Sequence, residues 1–174
     1  LLVAFAAPIL GAIADHSGAK KRFLGSFAGL GILFTALLVF VSTGDWLLAS
    51  GFYILGRIGF SGSIIFYDAL LPHVARSDDI DQVSTKGFAL GYLGGGLLLV
   101  LNLAWILKPA WFGLRDAEIA SRLSFLSVAV WWAVFSIPLF RLVDEPPFVR
   151  RVGESTNPVR AGFQRLARTF SEIR

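Results

Sequence analysis

The residues that decide the fold are FYDALLPH (66–73), a polar loop holding Asp78, Asp79 and Asp81, and TKGFALGYLGGGLLLVLNL (85–103). On each side of that loop stands an apolar run too long for a soluble core helix. A carboxylate, Asp68, lies inside the first run. Five glycines, Gly87, Gly91, Gly94, Gly95 and Gly96, crowd the start of the second. A soluble domain has no use for this arrangement, whereas a hairpin of two membrane-spanning helices does.

Composition carries the same message to the rest of the chain. Of 174 residues, 55% are hydrophobic and 16% charged, with a mean hydropathy of +0.68. Globular proteins average about 25% charged residues. The apolar residues fall in blocks, so the fold class is an all-α polytopic membrane protein. A net charge of +4 sits mainly in loops and tail, which fits membrane topology better than nucleic acid. With no cysteine there is no disulfide framework or thiolate chemistry. The chain opens inside an apolar run, LLVAFAAPIL, with no polar leader or cleavage site. A fragment beginning within a helix is the simplest expectation.

Counting outward from the hairpin gives five apolar segments, about 1–14, 23–41, 46–71, 87–107 and 123–142, forming a bundle over 1–143. The first is the end of a helix that Pro8 would kink. Residues 23–41 hold 19 uncharged positions, with Gly25, Gly29 and Gly31 allowing close packing. The 26 residues of 46–71 reach about 39 Å, so that span tilts or protrudes. Trp46 and Trp111 fit interfacial anchors.

Basic residues orient the bundle. The loop 15–22, the loop 72–87 and the tail from Arg141 together carry twelve lysines and arginines, and the opposite ends carry three, Lys108, Arg115 and Arg122. Twelve against three places those two loops and the 144–174 tail in the cytoplasm. Within the tail, Asn157-Pro158 reads as a helix start. Val159, Phe163, Leu166, Phe170 and Ile173 then form one apolar stripe, predicting an amphipathic helix over about 158–173. It serves either as a linker or as a helix lying on the bilayer or the bundle.

Several residues stand out as candidates. Arg57 is near the middle of its span, where a charge is tolerated only toward the bundle interior or a wet cavity. Substrate-carboxylate binding, proton coupling and capping of carbonyls between helices are the alternatives. Ser61 lies one turn further and Asn102 is in the next span; both are candidates for the same substrate or proton pathway. Asp68 is eleven residues beyond Arg57, about 1100° and so on the same face, but about 16 Å away. An ion pair from Asp68 to the basic turn at Lys20, Lys21 and Arg22 is the expectation, against a solvated helix-end carboxylate. Gly87, Gly91 and Gly95 form two overlapping small-xxx-small steps, a helix-packing face. Trp131 and Trp132 lie mid-span, either packed or facing a substrate. The aspartates at 78, 79 and 81 lack calcium-loop spacing, and His16 and His73 have no second ligand at metal spacing. No metal, cofactor or catalytic residue is expected.

GAIADHSGAKKR (11–22) resembles the loop between the second and third spans of the major facilitator superfamily. Gly11, Ile13, Ala14, Asp15, Gly18 and Lys20 match that pattern, while His16 and Ala19 replace usual basic residues. FYDALLPHVA (66–75) with DQVSTKGFALGYLGGGLLLVLNL (81–103) is similar to its vacuole effluxer-like branch, named for the autophagy-related amino-acid effluxer of fungal vacuoles. This resemblance implies spans two to six and the central loop of a twelve-span fold, a partial N-terminal half built from inverted repeats. It implies a cytoplasmic charge latch through Asp15, with Lys20, Lys21 and Asp68 joining it. The expected function is a secondary transporter moving a small solute, amino acids being suggested by the fungal namesake, by alternating access with proton coupling as one option. A receptor or assembly module on the same scaffold is the alternative. Expected partners are the bilayer, a small-molecule substrate and the missing remainder of the chain, with no nucleic acid. The membrane is the inner or plasma membrane in a bacterium and the vacuolar membrane in a fungus.

Overall fold

The computed structural model describes residues 9–11, 13–14, 18–75 and 78–145. Long helices α1 (Lys20–Leu37), α2 (Trp46–Val74), α3 (Ile80–Leu107) and α4 (Ala117–Leu142) follow one another. Each is long and apolar enough to cross a membrane. The five described residues between 9 and 14 are helical. Most of segment 1–14, Asp15 and the expected helix at 158–173 lie outside the described residues.

All four helices extend beyond the apolar runs that signal them, α1 by starting at Lys20. A 3-10 turn at Leu38–Phe40 finishes α1. α3 begins at Ile80 rather than Gly87, because residues 80–86 contain no breaker and Asp81 in the first turn suits the positive helix end. α4 begins at Ala117 rather than 123, where the Asp116 carboxylate accepts the Ile119 N–H at 2.9 Å. α2 continues three residues past Leu71 with Pro72 inside its last turn. A proline there removes the hydrogen bond to the Asp68 carbonyl and crowds it, a cost confined to the last turn. Gly44 (φ 100°) and Gly113 (φ 71°) take left-handed conformations in the turns after α1 and α3.

α1 and α2 form the most extensive interface, and α4 lies against α1. Glycine makes the first approach possible. A Cβ added to Gly59 would lie 2.6 Å from Gly31 Cα and 2.7 Å from Phe27 O, and one on Gly62 would enter the Phe27 ring. Gly31 is further covered by the Trp132 ring of α4. The expected packing face at Gly87, Gly91 and Gly95 carries no close helix among the described residues. Gly91 and Gly95 have nothing within 4 Å, and Gly87 meets only the Tyr67 hydroxyl, at 3.7 Å. Small residues permit a close approach, but the partner decides which of them is used.

Toward one end of the α1–α2 seam, Phe66 is fully buried and stacks on Phe23 (5.3 Å between centroids) and Phe27 (5.8 Å). Such ring pairs contribute about 0.5–1.5 kcal/mol each beyond burial. α3 is held chiefly by α4 and barely meets α2. Two polar bonds tie it there: Trp105 Nε1 donates to Ser124 Oγ at 2.7 Å, and Ser127 Oγ donates to Asn102 Oδ1 at 2.9 Å. Leu90, Tyr92, Leu93 and Val100 on α3 remain exposed, as lipid-facing side chains do.

Candidate functional site

The gap between α2 and α3 is a cavity of about 730 Å³, walled on its other sides by α4 and the end of α1. The stripe of α2 that faces α1 contains Gly59, Phe66 and Leu70, all buried. Arg57 is nine residues before Phe66, which is two and a half turns, so it points the opposite way. Its guanidinium lines the cavity, 5.6 Å from the Phe60 ring centroid, an arrangement in which the aromatic face attracts the cation. Arg57 is the one charged residue in the cavity wall among the described residues.

Asn102 reaches the same cavity from α3. It is buried, and the bond from Ser127 fixes its carboxamide at the wall. Thr35 and Tyr53 supply hydroxyls, and Phe60, Trp131, Trp132 and Phe135 make the wall largely aromatic. The mid-span tryptophans therefore serve both readings. Trp132 packs on Gly31, and Trp131 lies tilted against Phe135 with ring centroids 4.4 Å apart. The arrangement offers one fixed cation and a set of neutral polar groups inside an apolar enclosure. Such an arrangement can accept an anionic group beside apolar surface.

Ser61 is half-buried and does not line this cavity. Four residues turn a helix by about 400°, and the extra 40° carries its short side chain off the wall that Arg57 occupies. Ser63, also close in sequence, is buried and donates to the Phe60 carbonyl at 2.8 Å, its hydroxyl spent within the helix.

The expected pairing of Asp68 with the basic turn is corrected by the direction of its side chain. Asp68 is exposed and forms no ion pair with Lys20, Lys21 or Arg22. Sharing a face with Arg57 means facing away from α1. Lys20 instead meets the opposite side of α2, its ammonium 3.5 Å from the Ala69 carbonyl and 3.4 Å from His73 Nε2. Asp15, the remaining member of the expected latch, is outside the described residues.

Lys21 turns to α4 and forms a reciprocal cap that the sequence reading missed. Its backbone N–H, in the first turn of α1, donates to both Glu145 carboxylate oxygens at 3.1 Å. Its ammonium donates to the carbonyls of Phe140 and Val143 at the end of α4. Ala19, at the N-cap of α1, has no side-chain hydrogen bond to offer. Each helix end thus receives the charge that complements its dipole. A carboxylate after one span and a lysine opening another were the available signals, but 124 residues separate them. Glu145→Gln is expected to lower stability by about 0.5–2 kcal/mol, read as a lower Tm of the full-length protein in detergent. An unchanged Tm would remove this contact from the stability of the bundle.

Comparison with known proteins places the chain. The family model described as "Vacuole effluxer Atg22 like" matches residues 1–82 and 75–174. The chain is 38% identical over 180 residues to "Uncharacterized MFS-type transporter YxiO" of Bacillus subtilis, covering 99% of this chain and 40% of that protein. It is 22% identical over 193 residues to "Autophagy-related protein 22" of Pyricularia oryzae, covering 79% of this chain and 28% of the relative. The protein of the same name from Coccidioides immitis is 35% identical over 75 residues, 43% of this chain and 12% of its own length. This chain therefore spans less than half the length of each of these relatives. No solved structure matches it. With its four membrane-length helices and a family model that matches along its whole length, the chain belongs to the vacuole effluxer Atg22-like family of the major facilitator superfamily.

Proposed function

We propose that this chain forms part of a secondary transporter that moves a small solute by alternating access, with Arg57 and Asn102 in the substrate or proton pathway. The observation that carries this reading is Arg57, the sole charged side chain among the described residues of an aromatic-walled cavity inside a membrane bundle. Holding a guanidinium within the bilayer is costly, and a purely structural scaffold gains nothing from placing it in open space. A carboxylate on the solute would complete its hydrogen bonds. Amino acids are the first class to test, since relatives carry the vacuole effluxer and Atg22 names. No covalent step is assigned. Flux follows when the loaded and empty protein differ in their preference for the two open forms. By the distribution of lysine and arginine, the loops 15–22 and 72–87 and the tail lie in the cytoplasm.

Accessibility tests this without knowledge of the substrate. Tyr53 lines the cavity and is 60% exposed. Tyr53→Cys in an otherwise cysteine-free full-length protein is expected to react with an impermeant maleimide from either side of sealed vesicles. Reaction from one side only would contradict alternating access and favour a static receptor or assembly module.

A further inference from the structure

Two arginines stand on the outer side of the α1–α4 seam with no partner among the described residues. Arg22 and Arg141 are exposed, and among the described residues neither side chain makes a hydrogen bond, ion pair or ring contact. Their direction follows from their neighbours. Lys21 and Gly25 face α4, since Lys21 caps its end and a Cβ on Gly25 would lie 3.4 Å from the Phe140 ring. Arg22 follows Lys21, and Arg141 follows Phe140. Each step turns its helix by about 100°. α1 leads away from this end of the bundle and α4 leads into it, so the two rotations have opposite sense when viewed from one end. Both arginines therefore come to the same side of the seam. Capping by Lys21 sets α1 and α4 in register, placing the arginines within about two residues' rise, about 3 Å, of each other. Packed helix axes lie about 8–10 Å apart, a gap that two arginine side chains span from either side.

This side faces away from α2. Gly29 and Leu33 are exposed above Arg22 on α1, and Val130, Val134 and Ile137 above Arg141 on α4. An apolar stripe on two helices thus ends at two exposed guanidinium groups. A molecule matching both parts has an anionic head and hydrocarbon tails. We propose that Arg22 and Arg141 together hold the phosphodiester of one anionic phospholipid, with its acyl chains along the stripe. Guanidinium groups bind phosphate oxygens through paired N–H donors, and attraction of a basic side chain to an anionic membrane is worth about fivefold in affinity per residue. A free phosphate would use the arginines but leave the stripe uncovered. The inference depends on the chain spanning a bilayer and is independent of transport.

Native mass spectrometry of the full-length protein in detergent tests it, with phosphatidylglycerol and phosphatidylcholine as probes. One phosphatidylglycerol is expected to be retained per protein in preference to phosphatidylcholine. Arg22→Gln and Arg141→Gln should each weaken retention about fivefold and the pair together about twenty-five-fold, while Arg115→Gln near the other end of α4 leaves it unchanged. Both side chains are exposed and make no hydrogen bond or ion pair among the described residues, so the melting temperature without lipid should not move, which separates lost binding from lost folding. Equal retention by the double variant, equal retention of phosphatidylcholine, or displacement of the lipid by glycerol phosphate at comparable concentration would each overturn the proposal.

Discussion

Arg57→Ala is expected to reduce solute flux about thirtyfold or more, with the full-length protein still folded and inserted. Removing one partner of a desolvated, hydrogen-bonded charge pair typically costs about 2–5 kcal/mol, so a carboxylate left facing an apolar wall would scarcely bind. The fold should survive, because Arg57 is exposed and its charge rests on Phe60 of its own helix. Arg57→Lys is the sharper variant. It keeps the charge but loses the planar fork that grips a carboxylate through two bonds. An intermediate rate for lysine would favour direct solute binding. Full flux in Arg57→Ala, measured in proteoliposomes, would remove this residue from the pathway.

The second large effect is structural. Gly59→Leu should prevent normal assembly of α1 on α2, since a Cβ there already meets the backbone of Gly31 and Phe27. Backbone cannot yield as a side-chain tip can. Overpacking costs about 1–3 kcal/mol where neighbours relax, and more where they cannot. The expected result is loss of the monodisperse peak in size-exclusion chromatography. Gly91→Ala, on the open wall of the cavity, should leave that peak in place because nothing stands within 4 Å. Equal behaviour of the two variants would show that the α1–α2 seam does not govern assembly.

Much of the fold was legible because a bilayer makes apolar length decisive. Helices at 23–41, 46–71, 87–107 and 123–142 were recoverable from uninterrupted hydrophobic runs. Their ends were not, since Ile80–Lys86 and Ala117–Arg122 are polar enough to read as loops yet continue the helices into the interface. Glycine spacing was incomplete for a related reason. The overlapping steps at Gly87, Gly91 and Gly95 look like a contact face, but the tight seam runs through Gly31, Gly59 and Gly62. Spacing within one helix records where an approach is possible and says nothing of which helix comes.

The site was partly legible. Arg57 was conspicuous because a central charge is rare, and Asn102 because few polar side chains share its span. The counting that put Asp68 on the same face as Arg57 also points it away from Lys20. The expected ion pair rested on matching helix ends and neglected that direction. Glu145 carried no local signal at all. Its partner is the start of α1, and only the antiparallel packing of α1 and α4 brings them together.

Flux by the complete protein bears most directly on the central claim. Purified full-length protein in proteoliposomes would be offered labelled amino acids, with and without an imposed pH gradient. The account predicts uptake of at least one amino acid above empty liposomes, lost in Arg57→Ala, and steepened by the gradient if a proton is the coupling ion. Folded protein that moves none of them, nor any other small organic anion offered, would contradict it.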